Sequence, residues 1–191
     1  MAEKPSYEKL QKRVQELEAA EAQQFTQNKA LERLFNLSQD MLCVADFDGH
    51  FRIVNAAFET TLGHSRQAFL DTPFIDFVHP DDKAPTLEAM ERLATGASVT
   101  CFENRYRCKD GSYKWLQWTL APETEAGLLY AVARDITVQK TKQHEQHDLF
   151  ENILSNVPAS IFWKDRSSVY FGSNDRFVRD TGLQGSDEIE G

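Results

Sequence analysis

Two stretches of this chain are apolar on both of the faces that a β-strand presents. In Met41–Asp46, Met41, Cys43 and Ala45 alternate with Leu42 and Val44. In Leu128–Thr137, Leu129, Ala131 and Ala133 alternate with Leu128, Tyr130 and Val132. Successive strand side chains point to opposite sides of a sheet. A strand that is greasy on both sides has to be covered on both sides. The helices of the same domain can shelter one face. The other needs an N-terminal helix, the helix after residue 137, or a second copy of the chain.

Turn chemistry orders the elements around these strands. Phe47-Asp48-Gly49 turns the first stretch back into a return strand, His50–Val54. Asn55 then caps a short helix, Ala56–Leu62, that Gly63 closes. Ser65 caps a further turn through Phe69, and Phe74–Val78 is another apolar turn. His79-Pro80-Asp81-Asp82 begins the longest helix of this region, running to about Ala94. Pro80 suits a first helical position and the aspartates complement the helix dipole. Leu87, Met90 and Leu93 are expected on one side of it. In Ser98–Lys109, Thr100, Phe102, Asn104 and Tyr106 share a face. Asp110-Gly111 turns into Tyr113–Pro122, where Leu116, Trp118 and Leu120 oppose Trp115, Gln117 and Thr119.

Residues 6–37 contain neither Gly nor Pro, and Tyr7, Leu10, Val14 and Leu17 alternate steps of three and four. That is a heptad seam. It weakens through Glu21, Gln24 and Asn28 and recovers at Leu31 and Phe35. One or two helices are expected, with a phase break near Ala19–Ala22. Two arrangements fit: a solvated amphipathic helix lying on its own domain, or a parallel dimeric coiled coil. Val138–Leu154 is a further helix, polar, with a thin apolar seam.

Of the 191 residues, 41% are hydrophobic and 27% charged, the balance of an ordinary soluble protein. The net charge of -9 repels phosphate backbones and argues against a nucleic-acid partner. The three cysteines, Cys43, Cys101 and Cys108, form no CxxC and read as reduced thiols in a cytoplasmic protein. No cluster of His or Cys has metal-ligand spacing. The first residues lack an apolar signal segment, and no apolar run approaches the roughly 20 residues of a membrane helix.

A shift of 119 positions reveals an internal repeat. Asp46, Asn55, Phe58 and Gly63 match Asp165, Asn174, Phe177 and Gly182, while Leu31 and Leu34 fall on Phe150 and Ile153. The strand Met41–Val44 corresponds to Ser160–Trp163. The same supersecondary unit therefore starts twice, and the second copy reaches Gly191, the equivalent of residue 72. It would be truncated, leaving Ile161, Phe162, Trp163, Tyr170, Phe171 and Phe177 in need of outside partners.

Five motifs in order carry a family resemblance. They are Asp46-x-Asp48-Gly49; Asn55-x-x-Phe58 with Gly63-His64-Ser65; His79-Pro80-Asp81-Asp82; Arg107-Cys108-Lys109-Asp110-Gly111-x-x-x-Trp115; and Arg134-Asp135-Ile136-Thr137. Over residues 40–137 the chain resembles the PAS (Per-Arnt-Sim) sensor family with its C-terminal PAC motif. The resemblance implies an α+β fold: a five-stranded antiparallel sheet, order 2-1-5-4-3, with helices on one face. It implies four segments: a helical lead-in over 1–38, a PAS/PAC domain over 39–137, a linker helix over 138–156, and the N-terminal part of a second PAS domain over 157–191. It also implies the sensory part of a longer bacterial signalling protein, with a histidine kinase as output and a diguanylate cyclase as the alternative. Asp135, Ile136 and Thr137 would pass the signal into the helix that follows.

No nucleophile with a positioned base stands out, and the chain has no ATP lid, Walker or Gly-Gly-Asp-Glu-Phe sequence, so the segment reads as non-catalytic. Alternation predicts a pocket between sheet and long helix, lined by Cys43, Ala45, Phe58, Leu87, Met90, Phe102, Asn104, Leu116, Trp118, Leu129 and Ala131. Asn104 is its polar member, and a ligand, a water or the backbone could satisfy it. A small apolar molecule or a non-covalent flavin are the ligands to consider. Asp71-Thr72-Pro73-Phe74 lacks the cysteine of a light-oxygen-voltage domain. The long helix offers no His for haem. A homodimer is expected through the N-terminal helix (Leu10, Val14, Leu17, Leu31, Phe35) and the outer sheet face (Leu42, Val44, Trp115, Tyr130, Val132).

Overall fold

The computed structural model describes residues 7–181, which divide into two compact units, one through Ile136 and one from Thr137. In the first unit, α1 (Tyr7–Leu37) precedes β1 (Met41–Asp46) and β2 (Phe51–Val54). Next come α2 (Ala56–Leu62), α3 (Arg66–Asp71), 3-10 turns at Phe74–Asp76 and Pro80–Asp82, and α4 (Lys83–Ala94). Strands β3 (Val99–Arg107), β4 (Tyr113–Glu123) and β5 (Leu128–Asp135) complete it. All strands are antiparallel in the order β2-β1-β5-β4-β3, as expected from the sequence.

The two doubly apolar strands are the sheet's adjacent central pair, with Cys43 opposite Ala131 and Val44 opposite Tyr130. Their inward residues, Met41, Cys43, Ala45, Leu129, Ala131 and Ala133, are buried in one core with Phe51, Phe58, Phe69 and Leu93. Burying the Met, Leu and Phe side chains among them contributes roughly 1.5–3 kcal/mol each. Edge-on aromatic contacts, Phe51 to Phe58 and Phe58 to Phe69 both at 5.3 Å, fix the helices α2 and α3 over the sheet.

Of the two alternatives for the lead-in, α1 is one uninterrupted helix, because nothing from Ala19 to Ala22 disfavours helix. Several other local readings change. The His79–Ala94 helix is a 3-10 turn joined to α4, with Pro80 opening the turn. Thr100 does not share the inner face with Phe102: a bulge between Val99 and Phe102, with Cys101 at φ 56°, turns Val99 inward and leaves Thr100 exposed. Gly63 closes α2 at φ 78° as expected, but the Asn55 side chain makes no cap bond to that helix.

In the second unit, α5 (Thr137–Asn156) leads to β6 (Phe162–Lys164), β7 (Tyr170–Ser173) and α6 (Asp175–Thr181). β7 and α6 lie 119 positions after β2 and α2, residue for residue, and α5 ends 119 positions after α1. The aromatic residues pack on one another: Phe162, Tyr170 and Phe177 have ring centres 5.1–6.0 Å apart. Gly182–Gly191, including the Gly63–Gly182 match, lie outside the described residues.

Candidate functional site

A cavity of about 40 Å³ lies between the inner face of the sheet and α4. Eight of the predicted residues line it: Cys43, Ala45, Met90, Phe102, Asn104, Trp118, Leu129 and Ala131. Three do not. Leu87 is 52% exposed, because α4 buries Thr86, Ala89 and Leu93, a stripe about 100° away from Leu87. Phe58 and Leu116 are wholly buried in the core without reaching the cavity wall. The sequence reading missed Phe51, Phe74, Thr86, Ala89, Leu93, Tyr106 and Leu120. Thr86 and Ala89 carry no hydrophobic signal of their own; only the helix register exposes them to the sheet.

The polar element of this cavity is a relay. Trp118 Nε1 donates to Asn104 Oδ1 at 2.8 Å, and Asn104 Nδ2 donates to Thr86 Oγ1 at 3.1 Å. Thr86 Oγ1 donates to the Asp82 carbonyl at 2.7 Å. Protein groups thus satisfy Asn104, and neither a ligand nor a backbone group is needed. The relay ends where Arg105 grips the Asp82 carboxylate, Nη2 to Oδ1 at 2.7 Å and Nε to Oδ2 at 2.9 Å. Arg105 also contributes its backbone N–H to Asp82 Oδ2 at 2.8 Å. These bonds from Arg105 hold the Asp82 carboxyl below the usual range. A charge-assisted, two-point pair therefore pins the start of α4 to β3.

Apart from this relay the lining is apolar. Burial pushes the Cys43 thiol and the Tyr106 phenol up, so both stay protonated and neither is a nucleophile at neutral pH. The space admits about three water-sized spheres. A flavin ring or a haem does not fit without repacking Phe102, Tyr106 and Trp118, and no lining residue is a His to ligate haem iron. Among the described residues no group of three His, Cys, Asp or Glu side chains could hold a metal ion. No helix among them is long and apolar enough to cross a membrane.

The opposite face of the sheet is bare. Tyr130 is 47% and Val132 40% exposed, and Leu42 and Val44 are half-buried. Together with Leu31, Leu34 and Phe35 of α1 they bound a wide apolar groove. Leu10, Val14 and Leu17 along α1 are exposed, and Phe35 is half-buried. Trp115 is half-buried, with the Arg105 guanidinium 5.2 Å over its ring. At the end of the sheet the Asp135 carboxylate takes Lys114 Nζ at 2.8 Å, and Ile136 is buried, its N–H on the Trp115 carbonyl at 2.9 Å. Thr137 is the first residue of α5.

Residues 51–130 match the family model described as PAS fold. The first unit has the PAS fold. The PAS domain of an HTR-like protein from Haloarcula marismortui is 27% identical, at TM-score 0.55 over 62% of this chain and 99% of that one. A domain of a sensory box sensor histidine kinase/response regulator from Geobacter sulfurreducens shares the fold at 22% identity and TM-score 0.51, covering 58% of this chain and 96% of that one. A PAS domain from Colwellia psychrerythraea does so at 24% and 0.51, over 57% and 96%. No curated protein sequence matches the chain.

Proposed function

We propose that this PAS domain is a sensory and dimerisation module of a cytoplasmic signal-transduction protein. A second copy covers the outer sheet face, and a change in the cavity or at that interface passes through the flanking helices to an output domain. A histidine kinase is the output that the family resemblance favours, in keeping with the sensory box sensor histidine kinase/response regulator of which a domain shares the fold. The C-terminal unit, on this reading, begins a second PAS domain in tandem. Asp135, Ile136 and Thr137 are the step from the last strand into α5.

The observation that carries the reading is the apolar outer face. The central strands present Tyr130 and Val132, and α1 presents Leu31 and Leu34 beside them and Leu17 further along its seam, to solvent in a single chain, and an apolar patch of that kind marks an interaction surface. On this reading a second copy of the chain covers it, since a seam of heptad spacing pairs with a like seam. The small cavity favours an apolar ligand of a few heavy atoms over a cofactor.

Light scattering on the purified chain tests this. The unmodified protein should run at twice the mass of one chain, and Leu34→Asp combined with Tyr130→Asp should run at the mass of one. A monomeric parent, or a double variant that stays dimeric, contradicts it.

A further inference from the structure

One amide joins three elements at the start of each unit. Asn55 is buried, and its Nδ2 donates to the carbonyls of Phe35, in the last turn of α1, and of Asp40, both at 3.0 Å. Its Oδ1 accepts the N–H of Leu42 in β1 at 3.0 Å. Asn174, also buried, repeats the pattern. Its Nδ2 donates to the carbonyls of Leu154 (3.0 Å) and Ala159 (2.9 Å), and its Oδ1 accepts the N–H of Ile161 (3.0 Å).

Every partner moves by the same 119 positions, yet no partner residue is identical between the copies. Only the asparagine is the same. The chemistry explains why. All three contacts are to backbone, so the partners' side chains are free to differ. The joining residue must offer two donors and an acceptor from one short planar group, which asparagine does and aspartate does not. In both copies the donor atom turns away from the following helix; the Asn174 Oδ1 also accepts the N–H of Phe177 in α6 at 3.0 Å, a cap bond that Asn55 does not make.

We propose that Asn55 and Asn174 are positioning residues that couple a leading helix to the first strand of the unit behind it. A shift of α1 or α5 is then carried into β1 or β6 and is not absorbed in the loops at 38–40 and 157–161. α5 starts two residues after β5 ends, so a single helix separates the last strand of the PAS domain from the second clamp. The inference deepens the sensory reading above, but its test needs neither ligand nor dimer, so the two fail separately.

The test is a double-mutant cycle read by hydrogen exchange on the full 191-residue chain. Glu151→Gly loosens the exposed end of α5, and Glu32→Gly does the same at the matching position of α1. With Asn174 present, Glu151→Gly should speed exchange in Phe162–Lys164 several-fold; in the Asn174→Ala background it should add nothing there. Asn174→Ala alone should speed the Ile161 amide about tenfold. Should that variant unfold the unit, Asn174→Asp keeps the Ile161 acceptor and removes only the donors to the helix and loop. It should protect Ile161 and still abolish the effect of Glu151→Gly. Glu32→Gly with Asn55→Ala should behave alike in Leu42–Ala45. Equal acceleration of the strand with and without the asparagine, or no effect of either glycine on its strand, overturns the proposal.

Discussion

The carboxylate of Asp40 and the guanidinium of Arg134 form a two-point ion pair, Nε to Oδ1 at 3.1 Å and Nη2 to Oδ2 at 2.8 Å. It ties the loop that leaves α1 to the last strand, one residue before Asp135. The Asp40 carbonyl is also held by Asn55. The point where the leading helix joins the PAS domain and the point where the chain departs for α5 are therefore fastened together. Such a junction is where a change in helix packing and a change in the sheet would meet.

The bonds from Arg134 hold the Asp40 carboxyl below its ordinary value. Because the folded value is depressed, the pair's contribution is complete above the unfolded carboxylate range. It is lost as pH falls from about 4 through the folded value. Arg134 is largely exposed and solvent screens the pair, so the contribution at neutral pH is small. Asp40→Asn should lower the urea midpoint slightly at pH 7, and the gap between variant and parent should close as pH drops below about 4.

The Asn104 relay sets a larger effect. Asn104→Ala strands the buried Trp118 indole N–H and should cost about 1–3 kcal/mol from the unpaired donor alone. Thr86→Val keeps the shape but removes the hydroxyl that accepts from Asn104 and donates to the Asp82 carbonyl, so about 1 kcal/mol is expected. Urea unfolding followed by tryptophan fluorescence orders the two; equal losses would contradict the relay.

Ser168 stands where the first copy has Gly49, and both are left-handed, at φ 67° and 93°. A side chain there costs roughly 1–2 kcal/mol that glycine avoids. Ser168→Gly should slow exchange of the Val169 amide, which donates to Asp165 in the same turn. Gly49→Ala should destabilise the first unit, seen as a lower thermal midpoint.

The order of elements and most helix boundaries were legible because turn residues punctuate the chain: Gly49, Gly63, Gly111 and Gly127 all take positive φ where elements end; the sheet order was what the family resemblance implied. Met41–Asp46 and Leu128–Asp135 could be recognised as central from composition alone. The cavity was legible over much of its sheet side, where alternation has period two, although Leu116 was placed in it and Phe51, Tyr106 and Leu120 were not; it was not legible on α4. There Leu87 looked like an inward residue, while the helix register buries Thr86 and Ala89 instead. The bulge at Cys101 was hidden because nothing in Val99-Thr100-Cys101-Phe102 demands a positive φ. The Asn55 clamp was read as a helix cap, since a side chain that reaches back across the fold leaves no local trace.

The account's central claim is that two copies pair through α1 and the outer sheet face, and disulfide trapping reads that pairing most directly. In a Cys101→Ser background, Leu17→Cys puts a thiol on the α1 seam and Ala19→Cys puts one on the opposite side. Mild oxidation should link the Leu17→Cys protein into a covalent dimer and leave the Ala19→Cys protein unlinked. Equal linking of both, or none in either, would contradict the claim.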